Sequence, residues 1–334
     1  MIDMPPLQFA NVNGIRMGFY EAGPKSDKLP IVLCHGWPEI AFSWRHQIKA
    51  LSEAGIRVIA PDQRGYGATD RPDSIEAYDI ENLTADLIGL LDHLKIDRAI
   101  FVGHDWGGFI VWQMPLRYPA RVAGVVGVNT PHTPRTLVDP IALLRKKYGD
   151  HLYIAQFQDP SRNADKIFDS RVAEAFDFFM RKPMPRKPSV SAPSEGPPAA
   201  GLGASPKLNM AFPQMVAGYD AKLDPRGKIL SAEEMQVFID AFTKSGFTGG
   251  INWYRNMTRN WERSAHIDHT VRVPSLMIMA EHDEVLPPSA CDGMENIVPD
   301  LEKHLVRDSG HWTQQEKPDE VSATIIEWRQ RRFG

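Results

Sequence analysis

Cysteine is nearly absent. The 334 residues hold two, Cys34 and Cys291, which cannot make a disulfide framework. Cys34 ends the apolar run Ile31-Val32-Leu33-Cys34 and reads as a buried free thiol. Long apolar runs are missing too: no stretch approaches the roughly 18 residues that a membrane-spanning helix needs. The opening Met1-Ile2-Asp3-Met4-Pro5-Pro6 has an early acid and no apolar core, unlike a secretory signal, so a reducing cytoplasm is expected. Nor is one sign of charge in excess. Lys+Arg 38 against Asp+Glu 42 gives a net charge of −4, which offers no basic surplus to nucleic acid or an anionic membrane. The basic ending Arg329, Arg331, Arg332 reads as a solvated helix terminus. Finally, there is no glycine-rich phosphate loop or dinucleotide fingerprint, so no cofactor is expected. His266-x-x-His269 has metal-like spacing but reads as a loop with two solvated histidines, so no metal is expected either.

What is present is an ordinary globular composition, 43% hydrophobic and 24% charged, long enough for a large core with an insertion. Short β-rich runs alternate with helical patterns, the signature of an α/β fold with a mostly parallel central sheet flanked by helices. Strands are expected at 12–22, 31–34, 58–60, 99–102 and 125–128, with helices at 44–54, 81–94 and from 106 to about 118. In the second helix Leu83, Leu87, Leu90, Leu91 and Leu94 form one face, with Asn82 and Asp86 on the other. From about 131 to 264 the alternation stops and the chain reads as helical and aromatic-rich. Within it, 183–206 holds seven prolines among Gly and Ser and reads as an extended excursion. The α/β pattern resumes at 273–280, 301–306 and a final helix at 318–331. The expected division is a core of 1–132 and 265–334 and an inserted helical cap of 133–264.

The chemistry begins at Gly103-x-Asp105-x-Gly107, between a strand and a helix. Small residues on both sides of the central one permit a sharp turn that lifts its side chain above the sheet, beside a helix N-terminus. The usual centre is a serine. A carboxylate there can instead attack an electrophilic sp³ carbon and form an ester, which water must then hydrolyse with the help of a base and an oxyanion hole. An Asp capping the helix is the plain alternative. His311, in Gly310-His311-Trp312 after the last strand, lies where open α/β sheets build their sites. Asp283, in Glu281-His282-Asp283 after the preceding strand, is the acid to orient it. The order nucleophile, acid, base is that of the α/β-hydrolases. The oxyanion hole is expected from the backbone amides of Trp106 and Trp37. The latter lies in the loop His35-Gly36-Trp37-Pro38-Glu39, where Trp37-Pro38 is a candidate cis bond and His35 a loop-pinning residue.

These motifs resemble the α/β-hydrolase-fold epoxide hydrolases. The matches are residues 35–39, Asp62-Gln63-Arg64-Gly65-Tyr66-Gly67, Gly103-His104-Asp105-Trp106-Gly107-Gly108 and Gly310-His311-Trp312-Thr313-Gln314. Two more fall in the insertion, at 153–160 and at Asn252-Trp253-Tyr254-Arg255-Asn256. The resemblance implies a hydrolase of ether bonds in epoxide detoxification or catabolism, with a helical cap whose Tyr153 and Tyr254 bond the epoxide oxygen as acids. Its partners would be an epoxide and water, and it would be a monomer or homodimer. A phenol with pKa near 10 stays protonated at neutral pH and still donates. The bland reading of each tyrosine is an amphipathic core residue. Trp37, Trp106, Phe157 and Trp312 are expected to line an apolar pocket. The departures are the length of the proline-rich segment, Pro115 inside the helix after the turn, and Gln156, where an aromatic often forms the pocket wall.

Other readings share parts of this set. Haloalkane dehalogenases use the same Asp-Trp pair but often carry Asn in the place of Trp37 and need no tyrosine pair. Fluoroacetate dehalogenases carry Arg after the nucleophile, where this chain has Trp106. A serine esterase is disfavoured by Asp105, and a non-catalytic binding protein has no need of a base beside a carboxylate.

Overall fold

The computed structural model describes residues 4–26, 29–184 and 210–334. Most of the proline-rich excursion, 185–206, therefore lies outside the described residues.

One sheet runs in the order β1-β2-β4-β3-β5-β6-β7-β8: β1 Leu7–Val12, β2 Ile15–Ala22, β3 Ile31–Cys34, β4 Val58–Pro61, β5 Ala99–His104, β6 Val122–Val128, β7 Ser275–Ala280 and β8 Leu301–Val306. The stretch expected around 12–22 is a hairpin whose first strand starts earlier. Asn13 and Gly14 take φ of 42° and 77°, the two positive values that a two-residue hairpin turn requires. The first strand escapes the pattern because it is the sheet edge, with Leu7 and Phe9 exposed. From β3 onward the pairing is parallel and β3 to β6 are buried throughout, which is why they read as unbroken apolar runs.

Helices α1 (Arg45–Glu53), α2 (Ile80–His93) and α3 (Trp106–Arg117) follow β3, β4 and β5. The leucine face of α2 is buried as its spacing dictates, but Asp86 is not on a solvated face. It is buried and grips the Arg64 guanidinium at 2.6 and 2.7 Å, with Asn13 Nδ2 donating at 2.9 Å. The polar side of α2 meets the turn after β4, where a buried arginine needs a carboxylate. Pro115 lies within α3, which ends two residues later.

Between β6 and β7 the described residues form α4 (Pro140–Tyr148), α5 (Tyr153–Phe157), α6 (Asn163–Asp169), α7 (Val172–Phe179), α8 (Phe212–Ala217), α9 (Ala232–Ser245), α10 (Thr248–Arg255) and α11 (Met257–Arg263). A single turn, α12 (Thr313–Glu316), and α13 (Pro318–Phe333) close the chain. Among the described residues no helix is long and apolar enough to cross a membrane. His269 is less solvated than its loop position suggests, since its ring stacks on His132 at 6.2 Å.

Candidate active site

The turn between β5 and α3 places Asp105 at φ 50°, ψ −120°, a strained conformation for a residue with a side chain. The flanking glycines are dictated by crowding. A Cβ on Gly103 would lie 2.2 Å from the Gly107 carbonyl oxygen, and one on Gly107 would lie 2.0 Å from that of Cys34. Both obstacles are backbone, so neither yields cheaply. Gly107→Ala is therefore expected to cost about 3 kcal/mol or more, read as a lower midpoint in thermal unfolding, because an overpacked core cannot relax around a fixed strand.

Asp105 is buried, and its two oxygens differ. Oδ1 accepts from the Trp37 amide at 2.8 Å, and the Trp106 amide also donates to the carboxylate. Oδ2 faces His311, 3.8 Å from Nε2. Burial raises the Asp105 carboxyl above its ordinary pKa, against the pull of His311, His104 and the two amides. His311 Nδ1 donates to Asp283 Oδ2 at 2.9 Å. Asp283 Oδ1 accepts from Val285 N and Leu286 N at 2.8 and 2.9 Å. Burial would raise Asp283, but the His311 charge and these donors hold it at about 2. Burial would likewise lower His311, yet Asp283, then Asp105 and Glu39, raise it to about 9. The three residues that the sequence offered in order thus meet in one chain of contacts.

The peptide bond Trp37-Pro38 is cis. His35 fastens this loop: Nδ1 contacts the Gly36 carbonyl at 2.9 Å, and Nε2 accepts from Gln63 N at 3.0 Å.

Above the carboxylate, Tyr153 opens α5 and Tyr254 lies near the end of α10, their rings 5.7 Å apart and their hydroxyls hydrogen-bonded to one another. Burial, and then Asp105 among nearby charges, raises both phenols. The residues around them show why these motifs have the composition they do. Arg255 binds Asp165 through two contacts of 2.6 and 3.0 Å and donates to the Phe157 carbonyl at 2.9 Å. Gln158 Nε2 donates to the Tyr254 carbonyl at 3.1 Å, and Trp253 Nε1 to the Arg64 carbonyl at 3.1 Å. The two tyrosine-bearing helices are thus tied to each other, and α10 is tied to the sheet domain.

A cavity of about 210 Å³ reaches Asp105, Tyr153, Tyr254, His311, Trp37 and Trp312. Trp106 and Phe157 lie outside its lining, each packed edge-on against Tyr254, at 4.9 and 5.0 Å. Gln156 is not on the wall either. It accepts from Gln214 and donates to the His151 carbonyl, linking α5 to α8 outside the pocket.

Sequence reasoning missed three supporting residues. Asn129, just past β6 at φ 64°, donates to Asp283 Oδ2 at 2.7 Å. His104 contacts Glu39 Oε2 through Nδ1 and the His311 carbonyl through Nε2, both at 2.7 Å. Burial would raise Glu39, but His104 beside it holds the carboxyl at about 2. Both His104 and Glu39 lie inside motifs noted for their neighbours, a signal that went unused. Asn129 had none beyond its place at a strand end.

A carboxylate on a strand-turn-helix, a second carboxylate and an imidazole at later strand ends, and a helical insertion between β6 and β7 define a class. The chain belongs to the α/β hydrolase fold family, which matches residues 30–318. It is 40% identical over 333 residues to epoxide hydrolase A of Mycobacterium tuberculosis, covering 97% of each chain. It is 39% identical over 321 residues to bifunctional epoxide hydrolase 2 of Rattus norvegicus, where it spans about half of that longer protein, 53%. Among solved structures it is similar to epoxide hydrolase A from Mycobacterium thermoresistibile, with a TM-score of 0.82, 38% identity and 98% of each chain covered. An epoxide hydrolase from Vigna radiata gives 0.81, 32% and 99% of each. Within the α/β hydrolases, the chain is a member of the epoxide hydrolase family.

Proposed function

We propose that this protein hydrolyses epoxides to vicinal diols through an ester on Asp105. The observation that carries this reading is the juxtaposition of two hydrogen-bonded phenols with a carboxylate that the Trp37 and Trp106 amides hold, and whose Oδ2 faces His311. Asp105 Oδ2 attacks an epoxide carbon from below while Tyr153 and Tyr254 donate to the ring oxygen from above. The C–O bond breaks as that oxygen gains a proton, which an alkoxide leaving group requires. Asp105 is then a neutral ester whose carbonyl oxygen, Oδ1, already accepts from the Trp37 amide, with the Trp106 amide also donating to the group. His311, oriented by Asp283, takes a proton from water as the water attacks the ester carbonyl. The oxyanion forms where two N–H groups are already aimed, so no reorganisation is needed. Its collapse breaks the bond to the diol oxygen, which takes the proton held by His311, and the proton left on the new Asp105 carboxyl returns to the tyrosine that gave one up, so the diol leaves with carboxylate, imidazole and both phenols restored.

In this reading residues 133–264 act as the cap, 1–132 with 265–334 as the core, and the protein works in the cytoplasm without a cofactor. Cys34 and Cys291 are buried thiols, and burial pushes Cys291 up to about 12, so neither offers a thiolate to the reaction.

Product analysis on styrene oxide, a long-chain alkyl epoxide, 1-chlorobutane and fluoroacetate tests the proposal. Diol without halide is the expected outcome. Each Tyr→Phe change alone, at 153 or 254, should slow turnover roughly 10²-fold, and the double change by more. Halide release without diol would move the chain to the dehalogenases and return both tyrosines to packing roles.

A further inference from the structure

The base needs more than an acid behind it. Its ring sits on the loop between β8 and α12, which includes Asp308 at φ 50° and Gly310 and has no helix or strand of its own to hold a group that must stay 3.8 Å from Asp105. Misplacement by about 1 Å can cost on the order of 10²-fold in rate. Glu316 meets that need. Its Oε2 accepts from Gly310 N and its Oε1 from Trp312 N, both at 3.0 Å, so one carboxylate spans the two amides on either side of His311. The same turn of helix is anchored elsewhere. Gln314 Nε2 and Gln315 Nε2 donate to Glu39 Oε1 at 2.9 and 3.3 Å, and Glu39 Oε2 accepts from Gly36 N at 3.0 Å in the oxyanion loop. Through α12 the base loop and the oxyanion loop are held to one another.

Resting on the ester mechanism above, we infer that Glu316 is a positioning residue for the second half-reaction, fixing His311 against the oxyanion loop. Asp105 attacks the epoxide without help from the His311 loop, so alkylation does not need the clamp. Water attack does. The chemistry of the clamp also makes an unusual demand. Two N–H donors face it, and only a carboxylate offers two acceptors. An amide offers one acceptor and one donor, so Glu316→Gln sets an N–H against a backbone N–H at the present 3.0 Å. Glu316→Ala instead leaves both amides free for water.

The test is single-turnover kinetics of the wild type, Glu316→Gln and Glu316→Ala with an aryl epoxide, followed by tryptophan fluorescence and by mass. Only folded sites alkylate, and decay of the ester is first order, so a partly unfolded preparation does not alter its rate constant. The expected result is alkylation within a few-fold of wild type, ester hydrolysis slowed on the order of 10²-fold in both variants, and Gln no better than Ala. Ester hydrolysis at the wild-type rate in both would overturn the inference. So would rescue by Gln, the closer match in shape, because that marks a space-filling role. Failure of the wild type itself to form an ester would instead overturn the ester mechanism.

Discussion

Replacing Asp105 with alanine is expected to lower diol formation by at least roughly 10⁴-fold while leaving the fold intact by circular dichroism. The size of the loss follows from the division of labour at the site. The two tyrosines can bind and polarise an epoxide without Asp105, but neither can form the bond to carbon. The variant should still bind epoxide or diol, so a binding measurement separates lost chemistry from lost pocket. Residual turnover within about tenfold of wild type would mean that water attacks the epoxide directly, with Asp105 merely capping α3.

An ester on Asp105 also fixes the fate of oxygen. If the ester forms on Asp105 and water attacks its carbonyl, a single turnover in ¹⁸O-water leaves the label in the Asp105 carboxylate, and the first diol is unlabelled. Digestion and mass analysis of the segment containing Asp105 reads this directly. Label in the first diol would show direct attack of water on the ring.

The parts of this site that were legible in the sequence are those where chemistry and backbone geometry demand one residue type. Gly107 admits no Cβ against Cys34, the proposed ester chemistry needs a carboxylate at Asp105, and a base at a strand end has few alternatives to His311. Tyr153 and Tyr254 were legible through resemblance, since a phenol on a helix is more often a packing residue. What periodicity could not reveal is lateral contact between distant segments. Asp86 reads only as part of the polar side of α2 because its partner Arg64 comes from another element, and Asn129 gives no sign that it faces Asp283. Gln156 shows the same limit. The resemblance put a pocket-wall aromatic at its position, but the side chain is directed away from the cavity to Gln214. The edge strand β1 was partly missed because its exposed Leu7 and Phe9 break the rule that apolar residues face inward.

The second large effect is expected from His311→Gln, which should accumulate the ester rather than prevent it. Glutamine can fill the space and accept a hydrogen bond, but it cannot take a proton from water near neutral pH, so hydrolysis should fall by roughly 10²- to 10⁴-fold. Intact mass should rise by the full mass of the epoxide, because addition of a carboxylate to the ring loses no atoms. The wild-type base also predicts a pH dependence with a definite sign. In the resting enzyme Asp283, then Asp105, raises His311 to about 9, so at neutral pH the imidazole is charged and faces a carboxylate. Alkylation turns Asp105 into a neutral ester and removes one of the charges that hold that proton. The pKa must therefore fall once the ester has formed, and the imidazole becomes the base only at that stage. Ester decay should rise with pH and level off at an apparent pKa below 9, a limb that His311→Gln should lack. Alkylation depends instead on the Asp105 carboxylate, whose pKa burial raises, and should fail only as that group protonates at lower pH. A rate of ester decay that is flat in pH in the wild type, or an unmodified and fully active His311→Gln, would remove His311 as the base.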